Sequence, residues 1–289
     1  MLRRQFLRTT AAATGTVSLA NFPYALYAGT TKKSATDRIQ LGPAKVGLTR
    51  LAMGTGTNGV GGSSNQTKKL GVEGVAGLFK AGFDNGLTFW DCADQYGTHP
   101  HAKAALKYVK RENVTIMSKS RANTAAEMKD DLDRFRREMG TDYIDILLLH
   151  CMIDKDWNER KRGAMDVLEE AKAKGLIRTH GTSCHTLDAL KTAAAEPWVE
   201  VDLARINPAQ VAMDADPATV LGVLREMKSK GKGVIGMKIL GAGKLRNKVD
   251  ESLQFALAQD CIDCFTIGSE SIAEMVDLTK KIPAASTRG

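Results

Sequence analysis

Asp91, Tyr96, Lys119 and His150 form a set with one coherent chemistry. A phenol ordinarily holds its proton up to a pKa of about 10, too high for ready donation at neutral pH. An ammonium beside it stabilises the phenolate and lowers that value. A carboxylate next to the ammonium keeps the lysine charged and in place. An imidazole can orient a carbonyl oxygen or help relay a proton. The four together suit general acid–base work on a carbonyl or an alcohol. A serine-type triad fits poorly, because no candidate nucleophile has an evident paired base. A metal hydrolase also fits poorly. His99-Pro100-His101 is the one HxH pattern, and it falls at a loop or helix start. Both histidines read as satisfied surface residues rather than ligands, and no metal is expected.

The elements around these residues alternate. Leu87–Trp90, Val114–Met117, Ile144–Leu149, Gly233–Met237 and Ile262–Ile267 read as strands. Between them lie helix signals. Thr124–Glu127 is a capping box, Met128, Leu132, Phe135 and Met139 follow at helical spacing, and Gly140 stops the helix. Asp216-Pro217 opens another helix, with Val220, Leu224 and Met227 as its inner stripe, and Ser271–Glu274 is a second capping box before the last helix. Counting from Leu48, eight strand-like runs are each followed by a helix-like stretch. The faintest are the sixth strand, near Val201–Ile206, and the seventh helix, after Asn247. Strand–helix alternation implies parallel strands joined by crossovers, and residues 37–289 match one (β/α)8 TIM barrel. Polar or small residues recur where the strands stop: Asp91, Lys119, His150, Ser183, Asn207, Lys238 and Gly268. They lie roughly 30 residues apart, one βα unit each, so a barrel brings them to one face.

A doubly wound sheet is the alternative, and Gly54-Thr55-Gly56-Thr57-Asn58-Gly59 tests it. In a dinucleotide-binding fold the last glycine of GxGxxG already lies in a helix. Here Val60-Gly61-Gly62-Ser63-Ser64-Asn65 follows, which cannot sustain one. The glycines read better as a flexible loop over a site.

The segment Gly86-Leu87-Thr88-Phe89-Trp90-Asp91-Cys92-Ala93-Asp94-Gln95-Tyr96-Gly97 closely resembles the aldo-keto reductase signature. Met117–Ser120, Tyr143–His150 and Gly181-Thr182-Ser183 also match in order and spacing, so the resemblance runs from about residue 38 to the end. It implies a (β/α)8 barrel that binds NAD or NADP in extended form. Carried over by position, Tyr96 is the general acid, Lys119 lowers its pKa, Asp91 pairs with Lys119, and His150 orients the substrate. Hydride passes between nicotinamide C4 and the carbonyl carbon, so the implied partner is a small carbonyl or alcohol. The alternative is an exported binding or cofactor-holding protein of the same fold, without turnover by free cofactor.

The same resemblance marks cofactor positions. Ser183 matches a serine that contacts the nicotinamide amide, and Cys184 stands where an Asn usually follows. Asn207, with Gln210 as competitor, lies where a strand-end amide reaches the same group. Met237 replaces the usual aromatic on the nicotinamide face; a thioether is polarisable enough to cover it. Leu240-Gly241-Ala242-Gly243 looks like the pyrophosphate loop, with Lys238 adding charge. Gly268 and Ser269 precede a helix start that favours an anion. Glu270 takes the place of a basic residue that often holds the 2′-phosphate of NADP, so NAD is favoured. Substrate choice falls to the loops Gly56–Gln66 and Cys151–Trp157, where Trp157 either lines the pocket or packs on the rim.

The first 36 residues hold no Asp or Glu. Arg3-Arg4-Gln5-Phe6-Leu7 resembles the twin-arginine export motif, followed by a weakly apolar, small-residue stretch. Residues 1–28 are expected to be a signal peptide, cut near Ala20 or Ala28, handed to the twin-arginine export machinery. The destination is the periplasm or another exported location, with a membrane anchor if the segment stays uncut. The chain has 289 residues, is 43% hydrophobic and carries a formal charge of +8, three units of which are Arg3, Arg4 and Arg8. No Lys/Arg block interleaved with aromatics remains, so nucleic acid is not expected as a partner. No apolar run reaches spanning length, so the mature protein should not cross a membrane. Five cysteines are too few for a disulfide scaffold in a chain this long. Cys261 and Cys264 are expected along a buried, unreactive strand.

Overall fold

The computed structural model describes residues 32–286, so the expected signal peptide lies outside the described residues. The chain opens with an antiparallel hairpin, β1 (Arg38–Leu41) and β2 (Val46–Thr49). Eight units follow: β3 (Leu51–Gly54) with α1 (Asn65–Asp84); β4 (Phe89–Asp91) with α2 (His99–Ala105); β5 (Thr115–Ser120) with α3 (Ala125–Met139); β6 (Ile144–Met152) with α4 (Trp157–Arg160) and α5 (Arg162–Ala173); β7 (Ile177–Cys184) with α6 (Leu187–Ala195); β8 (Val201–Arg205) with α7 (Pro217–Ser229); β9 (Gly233–Met237) with α8 (Val249–Ala258); and β10 (Cys264–Gly268) with α9 (Ile272–Ser286). Strands β3 to β10 pair in parallel in chain order, and β10 closes on β3 through Phe265–Leu51 to Gly268–Gly54. The expected eight-stranded barrel is therefore present. Among the described residues no helix is long and apolar enough to cross a membrane.

The start of the strand count needs correction. Leu48 belongs to the hairpin, and the first barrel strand begins at Leu51. Leu41, Val46 and Leu48 are buried in one cluster with Phe89, Met117, Ile146 and Val201. The hairpin therefore floors the barrel with apolar side chains. The sixth barrel strand, β8, and the seventh barrel helix, α8, are both regular elements.

Local signals explain the helix ends. Thr124 accepts from Glu127 N–H while the Glu127 carboxylate accepts from Thr124 N–H, and Gly140 ends α3 at φ 65°. Met128, Leu132, Phe135 and Met139 are buried as their spacing requires. Asp216 caps α7 by accepting from Thr219 N–H at 3.0 Å. At α9, Ser271 Oγ accepts from Glu274 N–H, but the Glu274 carboxylate reaches one residue further back, to Glu270 N–H at 2.7 Å. That position already supplies an anion to the first turn.

Strand alternation decides which side chains reach the interior. Phe89, Met117 and Leu148 face inward among the barrel's own apolar cluster. Two residues further along the same strands come Asp91, Lys119 and His150. The chemistry-bearing residues thus form the topmost inward layer.

Candidate active site

Lys119 has no exposed surface, and its ammonium binds Asp91 Oδ1 and the Cys92 carbonyl, the latter at 2.9 Å. The second Asp91 oxygen accepts from Thr266 Oγ1 at 2.7 Å. The Asp91 carbonyl accepts from Thr55 Oγ1 at 2.7 Å. Carboxylate and ammonium are both buried and both satisfied, which such a pair requires to persist. Thr266 escaped the sequence reading; its signal was an inward polar position on β10 two residues before the strand end.

Lys119 Nζ lies 4.7 Å from the centre of the Tyr96 ring. The ring meets His150 edge-on at 5.6 Å between centres. Two glycines crowd the ring. A Cβ on Gly56 would sit 2.3 Å from Tyr96 Cζ, and one on Gly59 would sit 2.2 Å from Cδ1. The GxGxxG run is therefore a seat for the tyrosine ring; α1 begins only at Asn65, so it is not the start of a dinucleotide-binding helix.

Electrostatics give each group a defined state. Burial raises the Tyr96 pKa above its ordinary value, and Lys119 opposes that rise without overcoming it. The phenol therefore keeps its proton in the free protein. Burial also weighs against charge on Lys119, but Asp91 and then Tyr96 outweigh it, and the lysine pKa is raised. Burial, Lys119, His185, Arg121 and Lys238 together push His150 down to about 2, so its ring is neutral. The site holds a protonated phenol, an ammonium and a neutral imidazole side by side.

A cleft of about 460 Å³ runs from Asp91 and Tyr96 to the start of α9. Gly54, Met237, Lys238, Leu240, Gly243, Gly268, Ser269 and Glu270 line it. Among the described residues Lys238 has no carboxylate partner, and burial lowers its pKa. A half-buried, unpaired ammonium in a long glycine-lined cleft fits an elongated anionic molecule such as a dinucleotide pyrophosphate. Glu270 is held at the rim by Asn65 at 3.0 Å and Lys69 at 3.2 Å. These two partners, Asn65 first, keep its carboxyl below the usual range, so it is ionised.

Other expected positions behave differently. Cys184 does not face the cleft. Ser183 points inward, so its neighbour points out, and Cys184 Sγ lies 3.2 Å from Asp202 Oδ1 in the helix-facing layer. Ser183 Oγ accepts from Cys151 N–H at 2.8 Å. Asn207 is fully buried and engaged with its own loop. Its Nδ2 donates to the Val211 and Lys238 carbonyls, and its Oδ1 accepts from Ala209 and Val211 N–H. Gln210 is exposed at φ 57°. Gly241 lies under the loop, where a Cβ would meet Val211 and Leu245. Trp157 neither lines the pocket nor lies on the rim; it is buried and donates to the Ala189 carbonyl at 3.2 Å.

His99 and His101, expected at the surface, are buried. His99 bridges Glu138 at 2.8 Å and Ser118 at 2.7 Å. Asp94, His99 and Glu138 approach one another closely, but Arg134 pairs with both acids and both His99 nitrogens are engaged. All five cysteines are free; Cys264 lies on β10 and Cys261 in the turn before it, both buried with raised pKa values.

Comparison with known proteins gives a consistent picture. The model of the aldo/keto reductase family matches residues 52–282. A D-threo-aldose 1-dehydrogenase from Pseudomonas sp is 24% identical over 235 residues, covering 70% of this chain and 69% of that protein. An NAD/NADP-dependent indole-3-acetaldehyde reductase from Schizosaccharomyces pombe is 30% identical over 157 residues, about half of each chain at 51% and 53%. The aldo-keto reductase AKR11C1 of Bacillus halodurans, in its holo form, superposes with a TM-score of 0.70 at 17% identity, over 86% of this chain and 91% of that one.

Proposed function

Because this chain belongs to the aldo/keto reductase family, an oxidoreductase family that uses NAD(P), we propose that it interconverts a small carbonyl compound and its alcohol with Tyr96 as the proton donor. The observation that carries this reading is the buried Asp91–Lys119 pair beneath a phenol that stays protonated. Lys119 holds positive charge where negative charge grows on the Tyr96 oxygen as its proton leaves. The neutral His150 can offer a ring hydrogen to the substrate oxygen without competing as an acid. Gly56 and Gly59 keep the ring from turning away. A nicotinamide held in the cleft would supply or accept the hydride. Lys238 and the Leu240–Gly243 loop would hold the pyrophosphate, and Met237 would lie against the ring. Tyr96→Phe should lower carbonyl-dependent oxidation of the reduced cofactor by about 10²–10⁴-fold; an unchanged rate overturns the assignment.

The ionised Glu270 at the rim supports a preference for NAD over NADP, since it repels a 2′-phosphate and accepts hydrogen bonds from free ribose hydroxyls. Titration with both reduced cofactors tests this, and tighter NADPH binding refutes it. Arg3-Arg4 supports export of the folded protein by the twin-arginine route. Replacing both with Lys should retain the protein in the cytoplasm. Export also favours a second reading, a barrel that keeps its nicotinamide tightly bound; mass and absorbance of the protein as isolated decide between the two.

A further inference from the structure

Strand β6 pairs regularly with β7 up to Leu149–Thr182 and resumes at Met152–Cys184, so the register shifts across His150 and Cys151. In that irregular stretch Cys151 has φ 66°, a left-handed conformation that a side chain disfavours. Bulges of this kind re-aim a side chain, and they cluster beside active sites. Here the re-aimed group is a thiol: Cys151 Sγ lies 3.1 Å from His185 Nδ1.

The pair is held by independent contacts. Cys151 N–H donates to Ser183 Oγ at 2.8 Å, and His185 N–H donates to the Met152 carbonyl at 2.8 Å. Arg205, itself paired with Asp214, donates to the His185 carbonyl at 2.5 Å. Cys92, Cys184, Cys261 and Cys264 are buried, whereas Cys151 is partly exposed. It directly follows His150, and it stands close enough to Tyr96 and Lys238 to act on both electrostatically. Burial, then Arg205, Lys238, Arg121 and Lys119, push His185 down to about 4, so its ring is neutral and can take a hydrogen from sulfur. None of these features is needed for proton donation by Tyr96.

We propose that Cys151, paired with His185, is a nucleophilic site beside His150 at the irregular end of β6 that adds reversibly to an aldehyde and holds it as a hemithioacetal. A sulfur lone pair forms the S–C bond to the carbonyl carbon. The C=O π pair moves to oxygen, and the thiol proton, passed through His185, ends on that oxygen. Nothing is oxidised or reduced and no group leaves. The site takes the same chemical class as the proposed reduction but needs neither Tyr96 nor a nicotinamide.

The test is iodoacetamide labelling of the native protein without added cofactor, followed by peptide mass mapping. Cys151 should label at least tenfold faster than the four buried cysteines. Propionaldehyde should slow that labelling saturably, and His185→Gln should slow it about tenfold. Labelling indifferent to saturating propionaldehyde overturns the proposal, and this arm needs no variant. An unchanged rate in folded His185→Gln removes the histidine's role and also overturns it. Tyr96→Phe should keep the protection by propionaldehyde while losing carbonyl reduction, so the two readings fail separately.

Discussion

The rim built by β4, β5 and β6 and the rim built by β8, β9 and β10 both aim side chains into one cleft, by different means. On the first, Asp91 and Lys119 sit on regular strand ends, one residue pair above the apolar interior, and each polar atom of the pair has a partner. On the second, the groups sit on loops. Gln210, Ala212, Lys238 and Ala242 all adopt left-handed backbone conformations without being glycine. Asn207 holds one of those loops by four backbone contacts, and Lys238 projects from another with no carboxylate partner. The Asp91–Lys119 pair of the first rim is satisfied within the protein; the second rim has polar capacity left for a bound molecule.

The largest expected effect attacks the first rim. Lys119→Met leaves Asp91 buried without its cation, and should cost roughly 3–5 kcal/mol of stability. Carbonyl reduction should fall together with it; denaturant melts and steady-state rates check both. A variant that melts like the parent would show that the buried pair does not hold these strand ends together.

Asp202 lies on β8, on the helix-facing side of the second rim's wall. Burial pushes its carboxyl up to about 7, against hydrogen bonds from Thr182 and Cys184 that lower it. The folded state therefore keeps this proton while the unfolded chain loses it near pH 4, and stability falls as pH rises from about 4 to 7. Asp202→Asn should be more stable than the parent at pH 8, by on the order of 2–4 kcal/mol, and show no such gain at pH 4. Chemical denaturation at the two pH values reads this directly.

Gly56→Ala sharpens the comparison without removing a catalytic group. Its Cβ would collide with the Tyr96 ring, and a displaced ring should lower kcat by about 10²-fold with a small change in melting. A near-normal kcat would mean the glycine seat does not place the phenol. The smallest effect belongs to the second rim. Lys238→Met should weaken cofactor binding by about tenfold, in line with loss of one charge-assisted contact, and leave kcat nearly unchanged.

Legibility followed the same division. The barrel and the Thr124–Glu127 capping box were legible because strand and helix periods are local, and Asp91, Tyr96, Lys119 and His150 stood out because they are types whose chemistry is restrictive. Cys184 was misplaced at the cofactor because its neighbour Ser183 shares the strand end; a shift of one residue on a strand reverses the face. Trp157 was left between pocket and rim, and His99 was placed at the surface, because a loop position says nothing about what later folds over it. Thr266, the Tyr96 seat and the Cys151–His185 pair lie between 34 and 175 positions apart from their partners, and nothing local joins them.

The amino-acid sequence by itself determined the alternation of elements, the floor-to-rim order of each strand, and the four residues able to do proton chemistry, since these depend on side-chain type and spacing along one chain. Only the tertiary structure decided the state of each group. Burial and the charges gathered by barrel closure leave Tyr96 protonated, Lys119 charged and His150 neutral. A pKa responds to solvent exclusion and to charges within a few ångströms, and both are properties of the folded arrangement.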